Sequence, residues 1–364
     1  MTRFLRFASD ALRSVWHGLP ARVRFALPRS LALPLLAASL LLTGCDSKSN
    51  DPPAGGPHDA AVVRGSSTPD PTPASDDRTG WPKSIRVGLV PVEGGADTKA
   101  RWAPLGEAIE KRLKLPVELV STSTYQGVIT AMGNDQLEFA YMGPKSYVEA
   151  ANRAKGEALL VELNEHGVPG YHCIFIVPAA SAIKTLQEAT GKKFAFTDIN
   201  STSGYLIPAM TLLDVTGKPA DKYFGQVTFS GSHSTSLLQV ASGEIDVAAT
   251  NDVDTNYAVE KGTVKADSFR VIYTSELIPG SPMVCRKDIP NSLKLAFVAA
   301  VLDVCKDKAL LAAIKNGGFQ PTTDQQFDVI RASQKFLDAQ TKDAQNKESQ
   351  TKDAKPTPPK PAGG

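Results

Sequence analysis

Between residues 84 and 339 short apolar runs alternate with segments of helical spacing. Strands are predicted at 85–91, 117–120, 137–141 and 171–177, then at 193–196, 226–229, 246–250, 269–273 and 282–285. The intervening helices include 99–113, with Trp102, Leu105, Ile109 and Leu113 near one face, and one opened by Tyr125 that carries Val128, Ile129 and Met132. Others follow at about 147–154, 205–213, 237–241, 293–305 and 325–337. Strand and helix in turn predict an α/β fold, each sheet mostly parallel and flanked by helices. A chain that crosses out near 174 and returns near 278 makes two lobes facing each other across a cleft, with a hinge between them. The expected divisions are 84–174 for the first part of lobe 1, 175–277 for lobe 2 and 278–339 for the return.

The ends read differently. Arg3, Arg6, Arg13, Arg22, Arg24 and Arg29 precede an apolar run at 31–42 that is short for a membrane span, and Leu42-Thr43-Gly44-Cys45 follows it. That is a secretory signal over 1–44. The Leu-Thr-Gly-Cys site resembles the bacterial lipobox, which implies cleavage before Cys45 and lipid on its thiol. Asp46 resembles a signal for retention at the inner membrane. Residues 45–83 are rich in Pro, Gly, Ser, Asp and Thr, as a flexible tether is, and 340–364 form a second stretch too poor in apolar residues to pack. With Cys45 set aside, Cys173 and Cys285 form either a disulfide or two core thiols, and Cys305 is left over. The net charge of +2 gives no reason to expect nucleic acid as a partner. No spacing fits a metal or redox site, so neither metal nor cofactor is expected.

The chemistry gathers at two turns. Asn200-Ser201-Thr202-Ser203-Gly204 joins a strand to a helix, placing three hydroxyls beside unpaired N–H groups at the positive end of the helix dipole. A phosphate-type oxyanion suits that arrangement, and so does an over-rich N-cap with no ligand. Ser230-Gly231-Ser232-His233-Ser234-Thr235-Ser236 repeats the device about thirty residues on, now with a histidine. Two such turns on one sheet edge can close on one ligand.

These stretches, with Tyr125-Gln126-Gly127-Val128-Ile129, Tyr141-Met142-Gly143-Pro144 and Ile278-Pro279-Gly280-Ser281-Pro282, occur in the order of a known family. Over about 85–304 the chain resembles the periplasmic phosphate-, phosphite- and phosphonate-binding proteins of ABC importers. The resemblance implies the two-lobed fold of type II periplasmic binding proteins. It implies an anion cradle of Ser201, Thr202, Ser203 and His233, with Tyr125 on the first-lobe side. Asp254 matches a carboxylate that faces the ammonium of aminophosphonates. Met142 and Ser281 stand where such binders have a tyrosine and an aspartate. Tyr141 and Tyr205 are read as packing residues.

The expected function is therefore a monomeric, lipid-anchored binding protein on the outer face of the cytoplasmic membrane. It would hand phosphate, phosphite or a small alkylphosphonate to a permease, with no catalysis. The alternatives are a hydrolase of phosphate or carboxylic esters built on serine, histidine and aspartate, and a ligand sensor for a membrane kinase. The first lacks a Gly-x-Ser-x-Gly elbow.

Overall fold

The structure, a computed structural model, describes residues 77–353. The signal, the lipidation site at Cys45, most of the tether and the last residues of the tail lie outside the described residues.

The first sheet has the order β11-β4-β10-β3-β1-β2. Its strands are β1 (Ile85–Leu89), β2 (Val117–Ser121), β3 (Phe139–Tyr141), β4 (Gly156–Leu163), β10 (Pro282–Arg286) and β11 (Gly318–Pro321). The second has the order β7-β6-β8-β5-β9. It comprises β5 (Gly170–Pro178), β6 (Lys193–Phe196), β7 (Gln226–Phe229), β8 (Val247–Asn251) and β9 (Phe269–Pro279). The chain passes from one sheet to the other at 164–169 and back at 280–281.

Both sheets are mixed, where the alternation of elements predicts mostly parallel ones. β1 pairs parallel with β2 and β3, and β6 pairs parallel with β7 and β8, because helices cover the crossovers between them. The strands beside the inter-sheet crossings, β4, β5, β9 and β10, pair antiparallel because the chain arrives at each lobe from the opposite end. β4 and β11 are absent from the sequence reading. β11 is four residues long and ends on Pro321, and β4 carries a continuous Ala158-Leu159-Leu160-Val161 run rather than an alternation, so neither shows a strand period.

Helices α1 (Gly95–Leu113), α2 (Tyr125–Gly133) and α3 (Pro144–Arg153) follow β1, β2 and β3. α1 buries Trp102, Leu105, Ile109 and Leu113, the stripe its spacing predicts. It packs against α8 (Asn291–Val304), whose Phe297 stacks on Phe139 of β3 at 3.8 Å. In the second lobe α4 (Ile207–Thr216) and α5 (Ala220–Tyr223) follow β6, α6 (His233–Ala241) follows β7 and α7 (Asp252–Glu260) follows β8. α9 (Lys308–Ile314) precedes β11, and α10 (Asp328–Asp353) ends the described chain. The unstructured tail expected from 340 is thus helical as far as Asp353. Its Ala, Gln, Lys and Glu residues favour helix even with no apolar face to bury. Cys173 and Cys285 are buried, unpaired and in different sheets, so they are core thiols.

Candidate ligand-binding site

Three helix starts meet at the carboxyl ends of β6, β7 and β8. Each is capped by the residue that ends its strand or loop. Ser201 Oγ accepts from Gly204 N–H, Ser232 Oγ from Thr235 N–H, and Asn251 Oδ1 from Asp254 N–H. The first of these opens as a π-helical turn, Thr202–Leu206, closed by Leu206 N–H on the Ser201 carbonyl. Such wide turns recur at functional sites. Gly204 is required there, since a Cβ would come within 2.3 Å of Thr197 Cβ.

The first lobe offers the matching edge. Thr124 caps α2 through Gly127 N–H, and Gly143 precedes α3. The lobes are drawn together. Val92 O accepts from His233 N–H at 2.9 Å and Ser234 N–H at 3.3 Å, and Thr202 Oγ1 accepts from Lys145 N–H at 2.8 Å. Ser146 Oγ donates to Asn200 O at 2.9 Å.

Between them lies a cavity of ≈ 30 Å³, lined by Tyr125, Ser201, Thr202, Ser203, His233, Asp254 and Ser281, all expected from the sequence. Room of that size holds two or three waters, or one small tetrahedral anion with some adjustment of the walls. Met142 is the exception. Its side chain is fully buried among core residues and does not line the cavity, whereas Tyr141, read as a packing residue, does. Neighbouring residues at a strand end face opposite sides, so a shift of one position exchanges core for cavity.

The cavity is rich in donors. Tyr125 is buried and its hydroxyl has no partner among the described residues. Tyr171 lines the wall and its hydroxyl interacts with Thr202 and Ser203. His233 lies with Nδ1 3.0 Å from Thr250 Oγ1 and Nε2 3.5 Å from Ser201 Oγ. Burial pulls its pKa below the usual histidine value, partly offset by Asp254 and Asp198, so the ring is neutral.

Its carboxylates are less exposed to a ligand than the sequence implies. Asp254 is paired with Arg101 of α1 at 2.9 Å, and Arg101 is paired with Glu93 at 2.5 Å. Burial alone would raise Asp254, and the Arg101 guanidinium outweighs it, holding the carboxyl below its ordinary range. Glu93 is pushed up, first by burial and then by Asp254, against the pull of Arg101. A carboxylate absent from the sequence reading, Glu162 of β4, also lines the cavity. Arg101, Glu93, Glu162 and Tyr171 left no motif; Glu93 and Arg101 are near in the chain, but it is the distant Asp254 and Asn316 that tie Arg101 and Glu162 into the site.

Two lobes closing hydroxyls, a neutral histidine and helix starts around a small polar cavity define a solute-binding protein. Residues 87–327 match the family described as ABC transporter, phosphonate, periplasmic substrate-binding protein. The phosphonates-binding periplasmic protein of Escherichia coli is 29% identical over 265 residues, covering 71% of this chain and 78% of that one. The phosphate-import protein PhnD of Mycolicibacterium smegmatis is 30% identical over 293 residues, 75% of this chain and 90% of the relative. A binding-protein component of an ABC phosphonate transporter from Pseudomonas aeruginosa superposes with a TM-score of 0.66 at 28% identity, over 70% of this chain and 86% of that one. The chain belongs to the family of periplasmic substrate-binding proteins of ABC phosphonate transporters.

Proposed function

We propose that the interlobe cavity captures a single small phosphorus oxyanion, phosphate, phosphite or a short alkylphosphonate, for delivery to the membrane permease. The observation that carries this reading is the convergence of Ser201, Thr202, Ser203, Tyr125 and His233 on a cavity of ≈ 30 Å³ at a helix start. Hydroxyl and N–H donors without a facing ammonium or guanidinium hold an oxyanion by charge-assisted bonds and leave little room for a long substituent. The names of the two curated relatives, one for phosphonates and one for phosphate, support the same class.

Capture fits the geometry better than hydrolysis. Ser201 Oγ is engaged as a cap, and His233 Nδ1 meets the hydroxyls of Thr250 and Thr197 rather than a carboxylate. A serine nucleophile needs a free hydroxyl and an oriented base. The protein acts as a monomer, held at the extracytoplasmic face of the membrane by lipid on Cys45. Cys45→Ala should release it from the membrane fraction or leave the precursor uncleaved.

Titration calorimetry with phosphate, phosphite, methylphosphonate, aminoethylphosphonate and sulfate tests the ligand class. Tight binding of one of the first three supports the reading; binding of none of the phosphorus compounds overturns it.

A further inference from the structure

Glu162 is a buried carboxylate at the cavity wall for which the anion cradle has no use. It sits in β4, on the strand that pairs with β10 and β11, and its backbone N–H donates to the carbonyl of Ser281 at 2.9 Å. The crossover at 280–281 lies so close that a Cβ on Gly280 would come within 2.3 Å of the Glu162 carbonyl oxygen. Glu162 and Ser281 therefore reach the cavity side by side. The acidic group that position 281 lacks is supplied by the adjoining strand.

The surroundings of Glu162 fix it without neutralising it. Asn316 Nδ2 donates to Oε1 at 2.6 Å and the Tyr141 hydroxyl donates to Oε2 at 2.5 Å. Each carboxyl oxygen keeps a second lone pair. Of the charged or titratable groups that act on it, Arg101 is already shared between Glu93 and Asp254, Asp254 is of like charge, and Tyr141 and Tyr171 are neutral with raised pKa values. Burial is the largest influence and pushes the Glu162 carboxyl up to about 7. An ionised Glu162 against a doubly charged oxyanion is repulsive in so small a space. One proton between them turns the contact into a strong hydrogen bond.

We infer that Glu162 is a specificity-determining residue that shares one proton with the bound oxyanion and so selects ligands basic enough to hold it. The proton comes from a P–OH of the ligand or is taken from solvent on binding; no covalent bond is made or broken. Phosphate and alkylphosphonates meet the condition near neutral pH. Sulfate, a far weaker base, does not. This inference rests on the proposed capture of a phosphorus oxyanion.

The test is calorimetry of methylphosphonate and sulfate binding at pH 8.5, in two buffers of different ionisation enthalpy, with wild-type protein and Glu162→Gln. Wild type should take up close to one proton with methylphosphonate and bind sulfate at least a hundred-fold more weakly. In Glu162→Gln the amide donates directly, proton uptake should vanish and discrimination against sulfate should shrink by about ten- to hundred-fold. The wild-type proton count needs no mutant, so a variant that fails to fold leaves the test standing. Methylphosphonate binding with no proton uptake in wild type overturns the inference while leaving the ligand class intact. So does aminoethylphosphonate as the one tight ligand, its affinity lost in Glu162→Gln, since Glu162 would then face an ammonium. Failure of every phosphorus compound to bind wild type instead overturns the reading on which the inference rests.

Discussion

Arg101 Nη1 lies 2.9 Å from Asp254 Oδ1, an ion pair between α1 of the first lobe and α7 of the second in which the arginine side chain is 2% exposed. The guanidinium also stacks over the Tyr257 ring at 4.2 Å and donates to the Ile314 carbonyl. It pins the closed lobes and spends the charge of Asp254 that a ligand ammonium would need. Removing one partner of such a pair strands the other. Arg101→Met is expected to cost about 3–5 kcal/mol, with part recovered in the double variant Arg101→Met/Asp254→Asn. Thermal melts of the three proteins check this; a single variant as stable as wild type would show that the pair contributes nothing.

The three hydroxyls of the cradle are not equivalent. Ser201 caps the turn and Thr202 accepts from Lys145 N–H across the cleft, so Ser201→Ala and Thr202→Val should each weaken binding and also cost about 1 kcal/mol of stability. Ser203→Ala is the cleaner probe. It is expected to lower affinity for a phosphorus oxyanion about ten- to hundred-fold at nearly unchanged melting temperature. Calorimetry paired with melts separates the two effects, and equal affinity across all three variants would place the ligand elsewhere.

The pH dependence of the unliganded protein carries the mark of Glu162. Its carboxyl stands at about 7 in the fold against an ordinary 4.5, so the folded state binds the proton more tightly than the unfolded chain. Stability from this group is then full below about 4.5 and falls as pH rises toward 7, by a few kcal/mol in total. His233 acts in the other sense: its lowered pKa takes stability away as pH falls below 6.5. Glu162→Gln should therefore raise the melting temperature relative to wild type at pH 8 and leave it nearly unchanged at pH 4.5. A shift independent of pH would mean that the carboxyl is ionised throughout.

Lobe closure can be read in solution. The bonds from Val92, Lys145 and Ser146 to the second lobe belong to a closed form, and an open form should be populated without ligand. Small-angle scattering should show the radius of gyration contract with a saturating ligand. An unchanged radius speaks against a hinge.

Much of this arrangement was legible in the chain. The hydroxyl-rich turn after 193–196 and its echo after 226–229 are local devices, in which strand, cap and helix follow within a dozen residues. Asp254 is placed through the family resemblance alone; what brings it to the cavity is its position just past the end of β8, where its N–H is held by the Asn251 cap. Its partner could not be placed: Arg101 lies 153 residues away, and nothing in the stripe of α1 marks it as different from a solvated arginine. Glu162 was hidden for a similar reason. It lies in a strand recognisable only by pairing with segments more than a hundred residues downstream, and its neighbours Asn316 and Ser281 come from the return of the chain.

The C-terminal helix gives the closed form a further property. α10 rests on α3 of the first lobe, where Gln334 donates to Glu149 at 2.7 Å, and on α4 and the Thr202–Leu206 turn of the second. The lobes are thus clasped from outside as well as joined by two strands of backbone. Prising them apart must shear α10 from one side or the other. A permease that unloads the cleft works against this clasp in addition to the bonds of the cargo, and meets the same mechanical resistance whichever oxyanion the cleft holds.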